Sequence, residues 1–315
     1  MPETLLITGG AGFIGSHLAE NALRDGHRVL VIDDLSTGKR ENVPAGAELL
    51  VRDVRDPGLV DLLRESGVTV VSHHAAQANV RVSVEEPMLD AEANVLGGLM
   101  LIQACRQAGV RRILFASSGG TVYGEQEAFP CDEQHPTRPL SPYGCSKLAL
   151  EQYLLAYHRL GDLDPIIVRY ANVYGPRQDP KGEAGIIAIF AERLLSGAPP
   201  RIFGDGLQTR DYVHVDDVAA VQRAALAHWR PGIYNVGTGV ETTLRALYAR
   251  VMKELGISGI EPLYLPENRG ELRRSALSSQ RLAETLGVAP SITLDAGLRT
   301  TLPYYRQKLA RPQTA

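Results

Sequence analysis

Short apolar runs recur along the chain at residues 5–7, 29–32, 68–71, 113–115 and 166–168. Runs this short and uninterrupted read as strands buried on both faces. Between the first two, Phe13, Ile14, Leu18, Ala22 and Leu23 recur near helical spacing, and Gly26 stands where such a helix would end. Segments 84–108 and 142–159 are long enough for two further helices. The repeated order of strand, helix and strand predicts an α/β fold, a parallel sheet covered by helices on both sides.

After Arg169 the pattern loosens into Gly- and Pro-rich loops, with helical patterns near 185–195, 243–254, 278–286 and 294–306. This predicts a smaller second lobe. A helix near 216–228 and a strand at 232–236 are expected to return to the main sheet. The resulting division gives residues 1–170, joined by 213–240, to the main domain, and 171–212 with 241–315 to the lobe. No internal repeat interrupts this plan.

Charge and composition narrow the partners. The 315 residues carry 33 Lys and Arg against 36 Asp and Glu, a net −3 that gives no electrostatic basis for nucleic-acid binding. No apolar run approaches the roughly 20 residues of a membrane helix, and the first residues have no secretion-signal pattern, so a cytoplasmic protein is expected. Cys105, Cys131 and Cys145 are odd in number and contain no CxxC pair, which predicts reduced, structural thiols and no metal site. The neighbouring His73 and His74 lie at a strand end, where alternating side chains do not form a ligand pair.

The first strand runs into Thr8-Gly9-Gly10-Ala11-Gly12-Phe13-Ile14-Gly15. Gly9 and Gly12 let backbone N–H groups approach a dinucleotide pyrophosphate at a helix N-terminus, and Gly15 lets helix and strand pack closely. Asp33 ends the second strand about 20 residues on, where a carboxylate accepts from the ribose hydroxyls. That favours NAD over NADP, with Lys39 and Arg40 as the counter-indication. Asp53 and Val54 end a third strand, where they serve either as a plain turn or against the adenine.

The sharpest pair is Tyr143 and Lys147, four residues apart in Tyr-Gly-Cys-Ser-Lys. One helix face then carries both, and the ammonium pulls the phenol down from its ordinary range, making Tyr143 a usable general base.

With TGGAGFIG at 8–15, SSGGTVYG at 117–124, YGCSK at 143–147 and RYANVYGPRQ at 169–178, the chain resembles the extended short-chain dehydrogenase/reductases. HHAAQANVRVSVEEP at 73–87, RDYVHVDDVA at 210–219 and YNVGTG at 234–239 resemble their sugar-nucleotide epimerases. The resemblance covers nearly the whole chain. It implies a Rossmann-type doubly wound sheet with an interleaved substrate-binding lobe, bound NAD, and a homodimer formed through the helices at 84–108 and 142–159.

Carried over by residue, the resemblance sets Phe13 and Ile14 beside the pyrophosphate. Asp33, Asp34, Leu35, Ser36, Thr37 and Gly38 fall around the ribose, and Asp53 and Val54 by the adenine. His74, Ala75, Ala76, Gln77, Asn94, Ser117 and Tyr170 form the remaining cofactor wall. On the substrate side, Asn172 and Arg210 match diphosphate positions, while Arg201 and Phe203 match a strand along a uracil. Arg269 and Glu271 match a late phosphate motif, with Arg269 displaced by one residue and Arg274 as competitor. Ser275 falls where a bulky residue limits the sugar 2-substituent, which implies room for N-acetylated hexoses.

One departure bears on catalysis. The family's Ser or Thr four residues before the tyrosine of VYG is Gly119 here. Ser118 or Thr121 replaces its hydroxyl, or a water bridges, or Tyr143 and Lys147 suffice. Gly120 and Thr121 also stand where dehydratases carry an acid pair, so elimination of water has no obvious acid. The expected activity is 4-epimerisation of a UDP-hexose through a 4-keto intermediate. The alternatives are an epimerase or reductase of another nucleotide sugar, and an NAD-sensing scaffold without catalysis.

Overall fold

A computed structural model describes residues 2–180, 185–267 and 272–310. The first part of the chain forms β1 (Thr4–Thr8), α1 (Phe13–Arg24), β2 (Arg28–Asp33), β3 (Glu48–Val51), α2 (Leu59–Glu65), β4 (Val70–His73), α3 (Val80–Glu85), α4 (Pro87–Ala91), α5 (Gly97–Ala108), β5 (Arg112–Ser118), α6 (Gly119–Val122), α7 (Pro142–Arg159) and β6 (Asp164–Tyr170). There follow β7 (Asn172–Tyr174), α8 (Ile186–Leu195), β8 (Arg201–Phe203), β9 (Thr209–His214), α9 (Val215–Ala227), β10 (Gly232–Val236), β11 (Glu241–Thr243), α10 (Leu244–Leu255), β12 (Leu263–Leu265), α11 (Gln280–Leu286) and α12 (Leu294–Ala310).

Seven strands make one parallel sheet in the order β10-β6-β5-β4-β1-β2-β3. Its apolar runs divide by the strand period of two. Leu5 and Ile7 pack with Leu18, Ala22, Val218 and Val221 on one face, and Leu6 packs with Ile32, Leu101, Ile102, Leu150 and Leu154 on the other. Both faces being buried is why these strands carry no polar alternation. The connections leave β1 in opposite directions toward β2 and β4, and the crevice at their C-terminal ends is where open α/β sheets hold ligands.

The chain re-enters this sheet late. β10 pairs with β6 from Gly232 opposite Ile166 to Val236 opposite Tyr170, and α9 packs on α1. The second lobe holds the three-stranded sheet β11-β9-β7 and the parallel pair β8 and β12. Its core joins Phe190, Leu247, Val251, Leu298, Leu302 and Tyr305 from α8, α10 and α12.

Two elements and one thiol depart from the sequence reading. The run at 68–71 enters its ladder only at Val70, because the Val68 N–H closes the end of α2 on the Leu63 carbonyl (3.1 Å). The helix expected from 84 starts at Pro87, whose ring suits a first turn, and it carries a π-turn over Glu92–Leu96. Cys105 and Cys131 are buried thiols, whereas Cys145 is exposed on α7 and contributes nothing to the core. No helix among the described residues is long and apolar enough to cross a membrane.

Candidate active site

The glycine loop is shaped by contacts that leave no room for side chains. Gly9 has φ +69°, and a Cβ there would lie 2.6 Å from the Ala75 nitrogen. A Cβ on Gly15 would strike the Gly9 carbonyl, so helix and strand approach as closely as backbone allows. Gly12 caps α1 without a side-chain bond, and no acidic residue occupies the first turn with Phe13 and Ile14. With no carboxylate in its own first turn, the helix directs the N–H groups of that turn at the crevice, which suits an anionic pyrophosphate.

At the end of β2, Asp33 is buried and accepts from the Ala11 N–H and the Leu35 N–H, each at 2.9 Å. Burial pushes its carboxyl up from the ordinary range, while these bonds oppose the shift. Leu35 adopts φ +59°, and a Cβ on Gly38 would come 2.5 Å from Asp33 Oδ1, so this loop wraps the carboxylate tightly. Asp34 closes a turn by accepting from the Ser36 N–H (2.9 Å) and hydroxyl (2.6 Å), and Thr37 is exposed beyond it. Lys39, the cation that weighed against NAD, is tied to Asp179 at 2.7 Å. Asp53 pairs with Arg55 and is held below its usual range by it, and Val54 packs on Gly97.

The segment after β4 is held by Asn94, which sits in the π-turn. Its Oδ1 accepts from the Gln77 N–H (3.0 Å), and its amide donates to the Gln77 carbonyl and to Asp90, both at 2.9 Å. This fixes Gln77, while Thr8 accepts from the His74 and Ala75 N–H groups, so both ends of the stretch His74, Ala75, Ala76 and Gln77 are held. His74 reaches the Tyr170 hydroxyl (3.3 Å), while His73 Nδ1 lies 2.7 Å from Thr8 Oγ1. Burial, then the Lys147 charge, lowers both imidazoles to about 3, so both are neutral.

Across the crevice, Ser141 caps α7 by accepting from the Gly144 N–H (3.2 Å), with Pro142 in the first turn. Tyr143 and Lys147 then share one face, with Lys147 Nζ 5.6 Å from the tyrosine ring centre. Lys147 is buried; its ammonium donates to the Ala116 carbonyl (3.0 Å) and lies 5.0 Å over Phe115. Burial pulls it down to about 8, against Asp90 and Glu151, which favour the charge.

Ser118 and Gly119 resolve differently from their order in the motif. A Cβ on Gly119 would strike a Leu277 methyl and come 3.3 Å from the Arg169 carbonyl, so that position faces the core. Gly120 instead opens toward Ser118 Oγ and Asn172 Oδ1, 4.0 and 3.9 Å from where its Cβ would be. Thr121 donates its hydroxyl to the Ser118 carbonyl (3.4 Å). Ser117 turns away, donating to Glu151 in the interior, so only its backbone can line the crevice.

On the lobe side, Arg210 donates to the Thr209 and Leu272 carbonyls, each at 2.8 Å, and is not the partner of Asp211. Asp211 is buried and accepts from the Thr238 N–H and hydroxyl and from the Gly239 and Leu277 N–H groups. Arg201 is exposed at the start of β8, and Phe203 is half-buried at its end. Ser275 is buried and accepts from the Gln126 amide (3.3 Å), while Gln126 Oε1 accepts from the Ala276 N–H (2.9 Å). Arg274, the competitor for the phosphate, is bound to Glu241 and lies over Phe129 at 3.7 Å. Arg269 and Glu271 lie outside the described residues.

Residues 5–237 match the model of the NAD dependent epimerase/dehydratase family. The chain belongs to that family. Family membership makes it an NAD-dependent enzyme, and the glycine cradle, the α1 N-terminus and the Asp33 loop fit that cofactor. The UDP-glucose 4-epimerase of Mycolicibacterium smegmatis is 46% identical over 309 residues, covering 96% of this chain and 98% of its own. A crystal structure of UDP-glucose 4-epimerase with UDP-glucose from Thermotoga maritima superposes with a TM-score of 0.94 at 41% identity, covering 97% and 99% of the two chains. The Thermus thermophilus UDP-glucose 4-epimerase complex with NAD gives 0.91 at 48% identity, covering 96% and 99%.

Beside Tyr143 and Lys147 lies a buried network that the sequence pattern did not reveal. Glu151 pairs with Arg169 through bonds of 3.0 and 2.6 Å; Arg169 also donates to the Tyr123 hydroxyl (2.9 Å), which donates to Asn235 (2.7 Å). Asp90 accepts from the Ser146 hydroxyl (2.6 Å) and from Gln77 and Asn94. One signal was available: Glu151 follows Lys147 as Lys147 follows Tyr143, four residues on along the same helix face.

Proposed function

We propose that this enzyme is a UDP-hexose 4-epimerase acting on UDP-glucose and UDP-galactose, and on their N-acetylated forms. The observation that carries the reading is the Tyr143 and Lys147 pair on one face of α7 beside a strand end, Ser118 to Thr121, that holds hydroxyls and no carboxylate. Tyr143 takes the proton of the sugar 4-hydroxyl as the C4 hydride departs, and returns it when the hydride comes back to the other face of the 4-keto sugar. Bound NAD supplies the hydride acceptor that makes this exchange reversible. The Lys147 ammonium favours the phenolate, and Ser118, whose hydroxyl faces the opening at Gly120, takes the place of the hydroxyl absent at residue 119. Dehydration would need an acid at Gly120 or Thr121, which neither residue supplies.

Asn172 and Arg210 are the residues for the diphosphate, with Arg201 and Phe203 along the base. Arg269 and Glu271 retain the phosphate role that the motif implies. Buried Ser275 in place of a bulky side chain supports acceptance of a 2-acetamido group. Two copies pair through α4, the π-turn, α5 and α7, where Leu89, Leu96, Met100 and Tyr153 are exposed; apolar groups so grouped suit a self-complementary interface.

The test is incubation of purified protein with UDP-galactose and no added cofactor, followed by NMR of the anomeric protons. UDP-glucose is expected to appear. A lysine held near 8 is charged below that pH and neutral above it, so kcat is expected to fall as pH rises through about 8. A panel of other nucleotide sugars turned over in place of UDP-galactose would overturn the sugar assignment. Binding of NAD with no turnover of any would overturn the catalytic one.

Restoring the hydroxyl at 119 is expected to harm the protein. Gly119→Ser forces its Cβ into Leu277 and should cost about 1–3 kcal/mol in thermal unfolding, as overpacking does, without raising kcat. Adding Leu277→Ala to that variant should recover part of the loss. A Gly119→Ser variant of unchanged stability and higher kcat would assign the missing hydroxyl to residue 119.

A further inference from the structure

The Arg81 guanidinium lies 5.0 Å over the ring of Phe203. The contact crosses the crevice, since Arg81 stands in α3, directly after the cofactor segment 74–77, and Phe203 ends β8 in the second lobe. The root of Arg81 is fixed. Its N–H donates to Asn79 Oδ1 (3.0 Å), the Asn79 N–H donates to Gln77 Oε1 (2.6 Å), and the Gln77 amide donates to Asp90 (2.9 Å), which is bound to Ser146 on the Tyr143 helix. Its head is exposed, and no carboxylate pairs with it among the described residues. A stiffly rooted cation with an uncommitted charge thus rests on the aromatic face that the second lobe presents to the crevice.

An aromatic face accepts a guanidinium or a nucleobase, because both are flat and polarisable, but not both at the same place. A guanidinium also matches phosphate oxygens in a bidentate pair. From this geometry we infer that Arg81 is a nucleotide-binding residue that covers Phe203 in the ligand-free enzyme and pairs with the diphosphate once a base takes the ring. The assignment rests on the nucleotide-sugar reading above, and it makes substrate binding draw the α3 segment and β8 together across the crevice.

The test compares wild type with Arg81→Ala, titrating UDP by calorimetry and uridine by ligand-observed NMR. The assignment expects UDP to weaken roughly tenfold, the worth of one charge-assisted pair, while uridine binds as in wild type or more tightly because the ring is uncovered. It also expects KM for the sugar nucleotide to rise by a similar factor with kcat within twofold, and Arg81→Lys to recover only part of the UDP affinity. Equal weakening of uridine and UDP would overturn it, since Arg81 would then only support the ring. UDP affinity within twofold of wild type would overturn it while leaving the epimerase reading intact. Wild type that binds no UDP would overturn that reading, and this assignment with it.

Discussion

Tyr143→Phe is expected to lower kcat for UDP-galactose by about 10³-fold, the range for loss of a positioned general acid–base group. The ring remains half-buried on the first turn of α7 and keeps its contact with Lys147, so only the proton-carrying oxygen is lost. NAD content of the purified variant should therefore equal that of wild type, as should its thermal midpoint. KM should change little, because the loss is felt in the transition state. Turnover within tenfold of wild type would mean that another group moves the 4-hydroxyl proton, and Ser118 would be the first to substitute.

Glu151→Gln should produce the largest loss of stability. Glu151 and Arg169 are buried together, at 0% and 3% side-chain exposure, and each oxygen of Glu151 meets a guanidinium nitrogen. Neutralising the carboxylate leaves a buried arginine without its counter-charge, which costs about 3–5 kcal/mol. Urea unfolding would measure it, and the double variant Glu151→Leu with Arg169→Met should recover much of the loss because no charge then remains to be desolvated. A loss under about 1 kcal/mol in the single variant would mean that Tyr123 and Asn235, which continue the network, carry the arginine charge alone. The variant also removes one of the carboxylates that favour the Lys147 charge. Loss of Glu151 therefore shifts the high-pH limb of kcat toward lower pH.

Both residues show how chemistry and support are divided along α7. Tyr143, Lys147 and Glu151 fall at spacings of four and share a face, yet only the first two form a pattern with a chemical meaning of its own. Glu151 acquires its role from Arg169, which stands on a different strand and is brought beside it by the parallel pairing of β5 and β6.

Local patterning determined much of this protein. Continuous apolar runs specified a sheet buried on both faces, because a strand with no polar alternation has no face to give to water. The glycines at 9, 12 and 15 and the aspartate at 33 specified a dinucleotide crevice, because close backbone approach to a phosphate and a carboxylate at a strand end are properties of a few neighbouring residues. Tertiary structure alone decided what those residues meet. That Gly119 faces Leu277, that Ser117 turns inward to Glu151, that Arg274 is bound by Glu241, and that Arg81 lies on Phe203 all join segments from distant parts of the chain. Tyr123 and Asn235 bond across 112 residues. Periodicity records which side of an element is buried; the partner it is buried against depends on how β10 and the second lobe fold back over the crevice.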